Sequence, residues 1–332
     1  MTALLRSWQS WQMVVCAGFL ALAAVAGAWV ESNYYVQIMT LTAIYAAVGI
    51  AWGISGGLSG LLLLGYISFF GLGAYVNGVL FTKYGVSPWL SLFLAAGVAA
   101  SLGWLVALVT LRFGLSEDYF AMFTVALSQV FKFLLLNSEY AGRATGIYIT
   151  IVKDDFWKMS FVERKPYLFI ALGLVALALA VNYLVQRSRM GYYMAAVREN
   201  SQAAEALGID APRIKTIAIV ISGALAGAIG AFYCQFATFI DPKQVFSLAT
   251  NFEMLLGPVL GGAQSLIGPL FGAVAIKPLQ DLLRGWLGGG ADAYYLVIYG
   301  GVLVVGCLLL PRGIAAYIER WHRARYAEHT TR

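Results

Sequence analysis

Nine long and almost uncharged segments constrain the fold of this chain more than any other feature. An apolar run of about 20 residues spans a bilayer as a helix. The runs cover residues 12–30, 37–54, 58–81, 89–111, 119–136, 167–186, 214–236, 252–276 and 294–310. Of the 332 residues, 61% are hydrophobic and 11% are charged, whereas about 25% of a soluble domain is charged. We therefore expect an all-α polytopic membrane protein with about eight to ten transmembrane helices in one domain over residues 1–332.

The first run allows two interpretations. Arg6 precedes a long apolar stretch that ends in small residues, which is also the pattern of a cleaved signal peptide. The stretch is long for a signal peptide, and further membrane segments follow at once. Both points favour a first transmembrane helix.

The run over 252–276 is a poor continuous helix because glycine and proline interrupt it three times. The interruptions are Gly257-Pro258, Gly261-Gly262 and Gly268-Pro269. Proline removes a backbone hydrogen bond from a helix interior, and irregular backbone survives at membrane depth only where protein or water surrounds it. We therefore expect residues 252–285 to form a broken segment that either re-enters the membrane or crosses it twice.

Basic residues concentrate in two parts of the chain. Residues 187–215 carry five of them, and five more lie between 312 and 332. Loops rich in Lys and Arg stay in the cytoplasm, so the central loop 187–215 and the basic tail 315–332 are both predicted to be cytoplasmic. Three runs separate these segments although an even number of crossings is required, and this mismatch again points to 252–285.

Several chemistries are excluded by what the sequence lacks. The dipeptide Gly-Lys never occurs, so there is no phosphate-binding P-loop. The two histidines, His322 and His329, both lie in the tail, and the three cysteines are far apart within apolar runs. The net charge of +6 is scattered through loops apart from those two basic segments, and it predicts no nucleic-acid partner. We expect a protein that is not an enzyme and binds no metal or cofactor itself.

The central loop has the pattern of a short amphipathic helix. Met194, Val197, Ser201, Ala204 and Leu207 recur on one mildly apolar helical face, opposite a polar face with Arg198, Gln202 and Glu205. Gly208 suits a helix end, and Asp210 followed by Pro212 suits the start of the next helix. This pattern alone does not distinguish a docking surface from a solvated connector.

Four blocks carry a resemblance to a known family. "QAAEALGI" (202–209) resembles the E-A-A-x-x-x-G loop of ABC importer permeases, with Gln202 in place of the usual acid. The wider stretch 191–232 resembles more narrowly the branched-chain amino acid permeases, M-type chains included. Blocks 57–75, 111–130 and 260–273, with "PRGI" at 311–314, match in order and spacing. The resemblance covers most of residues 50–314 and implies the ABC importer permease fold.

The resemblance implies an assembly in the cell inner membrane. This chain would be a multi-pass permease subunit beside a second, homologous permease chain, two ATPase subunits that hold ATP and Mg, and an extracytoplasmic substrate-binding protein. The loop at 194–208 would be the coupling helix, seated in a groove of an ATPase subunit. Its site residues would be Arg198, Glu199, Gln202, Ala203, Ala204, Glu205 and Gly208.

The resemblance also implies a substrate class and a translocation path. Branched-chain or other hydrophobic amino acids are the expected cargo, although urea, short amides and small carboxylates are carried by close relatives. Tyr66 replaces a frequent His, and "AGRATGI" (141–147) lacks the usual threonine–double-glycine element, so the substrate stays open. Candidates for the path, with helix packing as the alternative role, are Tyr66, Ser68, Asn77, Thr124, Gln129, Gly261, Gly262 and Gly268.

A transporter driven by an ion gradient, or a channel, is the competing interpretation. Such a protein needs acidic groups or cation sites within the membrane. The apolar runs offer little beyond Glu253 and Lys132. Both lie near the ends of runs, where the side chains are expected to reach the interface.

Overall fold

A computed structural model describes residues 2–114, 116–150 and 154–287, together with residues 300, 301, 313 and 315. Side chains are described from residue 11 in the first range and up to residue 283 in the third. The predicted run 294–310 and the basic tail 315–332 lie almost entirely outside the described residues.

The described chain is mainly helical and has almost no strand, which confirms the all-α prediction. Its helices are α1 (Thr2–Trp29), α2 (Asn33–Trp52), α3 (Ile67–Tyr84), α4 (Pro88–Arg112), α5 (Glu117–Asn137), α6 (Lys165–Arg187), α7 (Arg189–Glu199), α8 (Ser201–Ala206), α9 (Ala211–Ala237), α10 (Pro242–Val245), α11 (Leu248–Gly261) and α12 (Ile267–Leu287). A two-residue strand β1 (Ile147–Tyr148) pairs antiparallel with β2 (Phe239–Ile240). In lipid every backbone polar group must find a partner within the protein, and a helix provides these partners within its own segment.

Among the residues that the structure describes, six helical segments are long and apolar enough to cross a membrane, and they match six of the nine predicted runs. They are Trp11–Trp29, Asn33–Leu58, Pro88–Arg112, Glu117–Asn137, Lys165–Arg187 and Ala211–Ala237. Three of these helices have proline in the first turn, where its missing N–H costs nothing: Pro88, Pro166 and Pro212.

The centre of the bundle is built on close helix contacts. Helix α2 is buried over most of its length, and α9 packs along α3 and α4. A side chain at Gly73 of α3 would overlap the carbonyl group of Gly227 in α9. Small residues allow backbones to approach this closely in a membrane, where no hydrophobic force drives helices together.

The predicted helix over 58–81 is wrong in its first third. Helix α2 instead continues as a π-helical turn over Gly53–Leu58, and α3 begins only at Ile67. Other helices hold the irregular segment between them. Trp52 donates from Nε1 to the Leu63 carbonyl at 3.1 Å, and Asn251 bonds both the Leu64 carbonyl and, at 3.0 Å, the Ile67 N–H. These contacts satisfy backbone that a helix would satisfy internally.

The predicted break of 252–285 is confirmed at Gly261-Gly262, whereas α11 continues through Gly257-Pro258 and α12 through Gly268-Pro269. Helix α11 ends at Gly261 and α12 begins at Ile267, so residues 262–266 form a turn between two antiparallel helices. Side chains at Gly261 or Gly272 would overlap backbone carbonyl groups of the facing helix. The two helices therefore pack backbone to backbone as a hairpin.

The hairpin lies beside α2 and returns the chain to the end of the bundle at which α11 began. Its turn contacts the π-helical residues, because a side chain at Gly57 would overlap the Ala263 carbonyl group. At the other end, the Tyr34 hydroxyl lies 3.4 Å from the carbonyl oxygen of Asp281. Two antiparallel helices thus take the place of the one predicted run.

Candidate functional site

The central loop forms two helices, α7 and α8, and the expected single helix is wrong. Asn200 has an extended backbone (φ −160°, ψ 107°), which ends α7. Its side-chain oxygen accepts a bond from the Ala203 N–H at 2.9 Å and so caps α8. Because of this break, Met194, Val197 and Ala204 are buried together while Leu207 is 83% exposed.

The reversal after α8 follows the sequence prediction. Gly208 has φ +86°, a conformation that glycine adopts without steric cost. The Ile209 N–H donates to the Ala204 carbonyl at 3.1 Å, which closes the end of α8. Asp210 then accepts from the Arg213 N–H at 3.0 Å at the start of α9. The loop therefore has a defined shape at both ends.

One side of the loop is fixed to the helical bundle. Its buried residues form a hydrophobic cluster with the π-helical turn and with the ends of α6 and α9: Ile54, Leu58, Val185, Met194, Val197, Ala204, Ala211, Ile214 and Ala218. Burial of these side chains stabilises the attachment. A connector that only carries charge between two helices needs no such cluster.

The opposite side of the loop, which we call the outer face, is exposed. It consists of Glu199, Gln202, Ala203, Glu205, Ala206, Leu207 and Gly208. Five of these were predicted as site residues along with Arg198 and Ala204. The outer face combines two acids with the small apolar surface of Ala203, Ala206 and Leu207. Such a mixture suits a protein contact with a polar rim.

Arg198 is directed inward, unlike the other polar candidates of the loop. One guanidinium nitrogen, Nη1, donates to the carbonyl oxygen of Gly57 at 3.0 Å. The other, Nη2, lies 2.8 Å from the Glu199 carboxylate. The arginine side chain is 22% exposed and that of Glu199 75% exposed. Arg198 thus joins the central loop to the π-helical turn.

Carbonyl groups in and just before the π-helical turn are satisfied by side chains from other helices. Asn182 of α6 donates to the Ile50 carbonyl at 3.0 Å. The Ser222 hydroxyl of α9 lies 2.8 Å from the Ala51 carbonyl and 3.1 Å from the Ser55 hydroxyl. We call residues 53–58 with these partners the π-helical joint. A π-helical turn inside a helix often marks a functional site.

Most predicted path residues lie in helix contacts in this conformation. The Tyr66 hydroxyl donates to the Ser222 carbonyl at 2.8 Å, and Thr124 accepts from the Gly65 N–H at 3.1 Å. Asn77 donates to the Ala231 carbonyl at 2.9 Å. Ser68 is fully buried, and its hydroxyl has no partner among the described residues.

The remaining path candidates occupy two places. Gln129 of α5 is half-buried, and its amide nitrogen lies 3.5 Å from the Phe246 carbonyl oxygen. Gly261, Gly262 and Gly268 surround the turn between α11 and α12. The structure thus brings these glycines to the turn beside the π-helical joint, Thr124 to the backbone of Gly65, and Gln129 to the backbone of Phe246.

A buried charged cluster was missed by the sequence analysis. Lys277 of α12 is 8% exposed, its Nζ lies 3.1 Å from the Asp281 carboxylate, and it sits 4.7 Å from the centre of the Tyr45 ring. The Tyr45 hydroxyl lies 3.4 Å from the Glu253 carboxylate. Glu253 therefore faces the middle of α2, contrary to the interfacial position expected for it.

The signal for this cluster was present in the sequence just beyond the run 252–276. Lys277, Gln280 and Asp281 are spaced so that they share one face of a helix. Charged groups at membrane depth are costly and are paired when they occur. The three residues lie outside the predicted run because α12 continues past its end, to Leu287.

Comparison with known proteins shows which family the chain belongs to. The family model "Branched-chain amino acid transport system / permease component" matches residues 34–306. The chain belongs to this family. The permease is 32% identical over 320 residues to the high-affinity branched-chain amino acid transport system permease protein LivM of Salmonella typhimurium, covering 89% of this chain and 73% of LivM.

Other relatives extend the comparison. LivM of Escherichia coli is 31% identical over 318 residues, with the same coverage of both chains. The permease protein LivH of Salmonella typhimurium is 24% identical over 307 residues, covering 85% of the permease and 95% of LivH. No solved structure matches the permease. The expected membership of the branched-chain amino acid permeases is confirmed.

Proposed function

We propose that this permease is the membrane-spanning subunit of an ATP-driven importer in the cell inner membrane. It moves branched-chain or other hydrophobic amino acids into the cytoplasm by alternating access. The central loop and the C-terminus face the cytoplasm. The family membership and the names of the relatives support the cargo, and the charge distribution supports the orientation.

The observation that carries the ATP-driven mechanism is the two-sided structure of the central loop. Its inner side is fixed to the bundle through Met194, Val197 and Ala204, while Glu205 and Leu207 on the outer face are exposed. A loop of this kind passes the movement of a bound protein into the helices, because packed elements shift between discrete arrangements. The sequence has no P-loop of its own, so we place ATP and Mg on two separate ATPase subunits.

The proposed assembly also contains a second permease chain and an extracytoplasmic binding protein. Similarity to both LivM and LivH, two permease proteins of branched-chain amino acid systems, supports a pair of homologous permease chains. The binding protein captures the substrate and provides most of the selectivity. Urea, short amides or small carboxylates are the alternative cargo of the same importer type.

Reconstitution tests this function. The permease is purified in mild detergent with its candidate ATPase and permease partners and placed in proteoliposomes that enclose ATP and Mg, with binding protein and labelled leucine outside. The proposal is supported if uptake depends on the enclosed ATP and falls when unlabelled valine is added. Urea and acetamide should leave the uptake unchanged. A permease chain that transports leucine alone, without an ATPase, refutes it.

An ion-gradient-driven transporter is the second candidate function, and the charged cluster of Glu253, Lys277 and Asp281 favours it. Such groups within a membrane often belong to ion or proton pathways. The same proteoliposomes distinguish the two functions. Ionophores that dissipate ion gradients abolish uptake by a gradient-driven transporter and leave ATP-driven uptake unchanged.

A further inference from the structure

The Arg198 side chain makes two contacts on the inner side of the central loop. Its Nη1 donates to the Gly57 carbonyl, and its aliphatic stem lies against Gly60. A Cβ built at Gly60 would be 2.8 Å from Cγ of Arg198, so the arginine stem occupies the space that a side chain there would need. Gly60 has φ +75°, which also favours glycine.

The bond to Gly57 suits a cation. It is a charge-assisted hydrogen bond, which is stronger than one between neutral groups. The acceptor is a carbonyl in the last turn of the extended α2 segment, where the helix dipole attracts positive charge. Glu199 lies beside the same guanidinium and orients it from the exposed side.

On the side away from Arg198, Gly57 contacts the hairpin of α11 and α12 directly. The Ala263 carbonyl lies so close to Gly57 that any side chain on Gly57 would overlap it, and it also lies near Gly53. Ala263 belongs to the turn between α11 and α12. A continuous series of contacts therefore runs from Arg198 through Gly57 to Ala263, from the central loop to the hairpin.

We propose that Arg198 is a positioning residue that transmits movement of the central loop to the π-helical joint and the α11–α12 turn. On this view it does not contact the ATPase, and the outer face makes that contact. The proposal rests on the proposed function, because it needs an ATPase that moves the loop. A shift of Arg198 displaces Gly57, and the displaced Gly57 displaces the hairpin through Ala263.

The test compares four variants of the permease in the reconstituted complex. Arg198→Leu removes the bond to Gly57, Arg198→Lys keeps one donor, and Leu207→Asp disrupts the outer face. Arg189→Leu is the matched control, because Arg189 lies exposed at the first position of the same helix. Three quantities are measured for each variant: the ATPase recovered with the permease, the rate of ATP hydrolysis, and leucine taken up per ATP hydrolysed.

We expect the Arg198→Leu permease to bind the ATPase normally, and its complex to hydrolyse ATP at the normal rate. Leucine uptake per ATP hydrolysed should fall about tenfold, within the range for residues that couple two sites. Arg198→Lys restores most of the uptake, and Arg189→Leu changes none of the three quantities. With Leu207→Asp, no ATPase should be recovered with the permease.

Two results overturn the inference. Either Arg198→Leu loses the ATPase, which makes Arg198 a docking contact, or its uptake per ATP stays normal. Failure of the unmodified permease to recover any ATPase is a different result, since it refutes the importer proposal.

Should Arg198→Leu not insert into membranes, Gly60→Ala replaces it. That change keeps the arginine but displaces its stem, and we expect the same fall in uptake per ATP, so normal uptake by Gly60→Ala contradicts the inference.

Discussion

The hydroxyl of Tyr66 donates a hydrogen bond to the carbonyl oxygen of Ser222 at 2.8 Å, and the Ser222 hydroxyl lies 3.0 Å from the same phenol oxygen. This double contact ties the irregular segment before α3 to the middle of α9. Both residues are buried, with Tyr66 1% and Ser222 0% exposed. Tyr66, which we predicted as a path residue, therefore supports the π-helical joint in this conformation.

Replacing Tyr66 by phenylalanine should destabilise the permease. The ring still fills its space, but the Ser222 carbonyl and hydroxyl lose a buried partner, at a cost of about 1–3 kcal/mol. We expect a melting temperature in detergent that is lower by several degrees. Tyr84→Phe serves as the control because Tyr84 is 68% exposed. An equal effect of both changes would contradict the structural role of Tyr66.

Gly208→Val should abolish transport while the permease still inserts into the membrane. A β-branched residue is strained at φ +86°, so the reversal after α8 changes shape and the outer face is misplaced. Leucine uptake and the amount of permease in isolated membranes are measured together.

The matched control for this change is Gly85→Val. Gly85 also has a positive φ, +64°, with open space around it, but it lies after α3, away from the central loop. We expect it to keep transport. Normal uptake by Gly208→Val would argue against docking through this loop.

Gly73→Ala should weaken the packing of α3 on α9. The added Cβ overlaps the Gly227 carbonyl group, which is backbone and cannot rotate away. Overpacking of this kind costs about 1–3 kcal/mol or more. The expected result is a lower yield of monodisperse permease in size-exclusion chromatography. Gly97→Ala in α4, where nothing lies within 4 Å, should leave the yield unchanged.

The ion pair of Lys277 and Asp281 should show strong coupling between its two members. Lys277→Met alone leaves a buried carboxylate without its cation and should destabilise the permease by about 3–5 kcal/mol. The double change Lys277→Met with Asp281→Leu removes both charges and should recover most of the melting temperature. If the loss of stability in the double variant equals the summed losses of Lys277→Met alone and Asp281→Leu alone, the two residues are not coupled.

Local signals in the sequence were sufficient wherever the cause of a structure is also local. Gly208 and Asp210 marked the end of one helix and the start of the next, because a left-handed residue and a cap act within a few positions. The interruption of 252–276 was predictable for the same reason, since Gly261 and Gly262 weaken a helix wherever they occur.

Features that depend on distant contacts were not predictable. The irregular stretch before Ile67 reads as an apolar run and is held in place by Asn251, which lies far along the chain. The inward direction of Arg198 depends in the same way on Gly57. The pairing of Lys277 with Asp281 could be predicted from their spacing, whereas the burial of the pair follows from the packing of α12 against α2.

The break at Asn200 has a consequence for how such permeases diversify. It divides the central loop into α7, which carries Met194 and Arg198, and the six-residue helix α8 with most of the outer face. In the proposed assembly, recognition of the ATPase and transmission of its movement are therefore encoded mostly in different stretches of sequence, with Glu199 and Ala204 as the exceptions. Mutation of the exposed positions of α8 and its end, 202, 203 and 205–207, is then free to follow changes in a partner ATPase while Ala204 keeps its contact with the membrane helices.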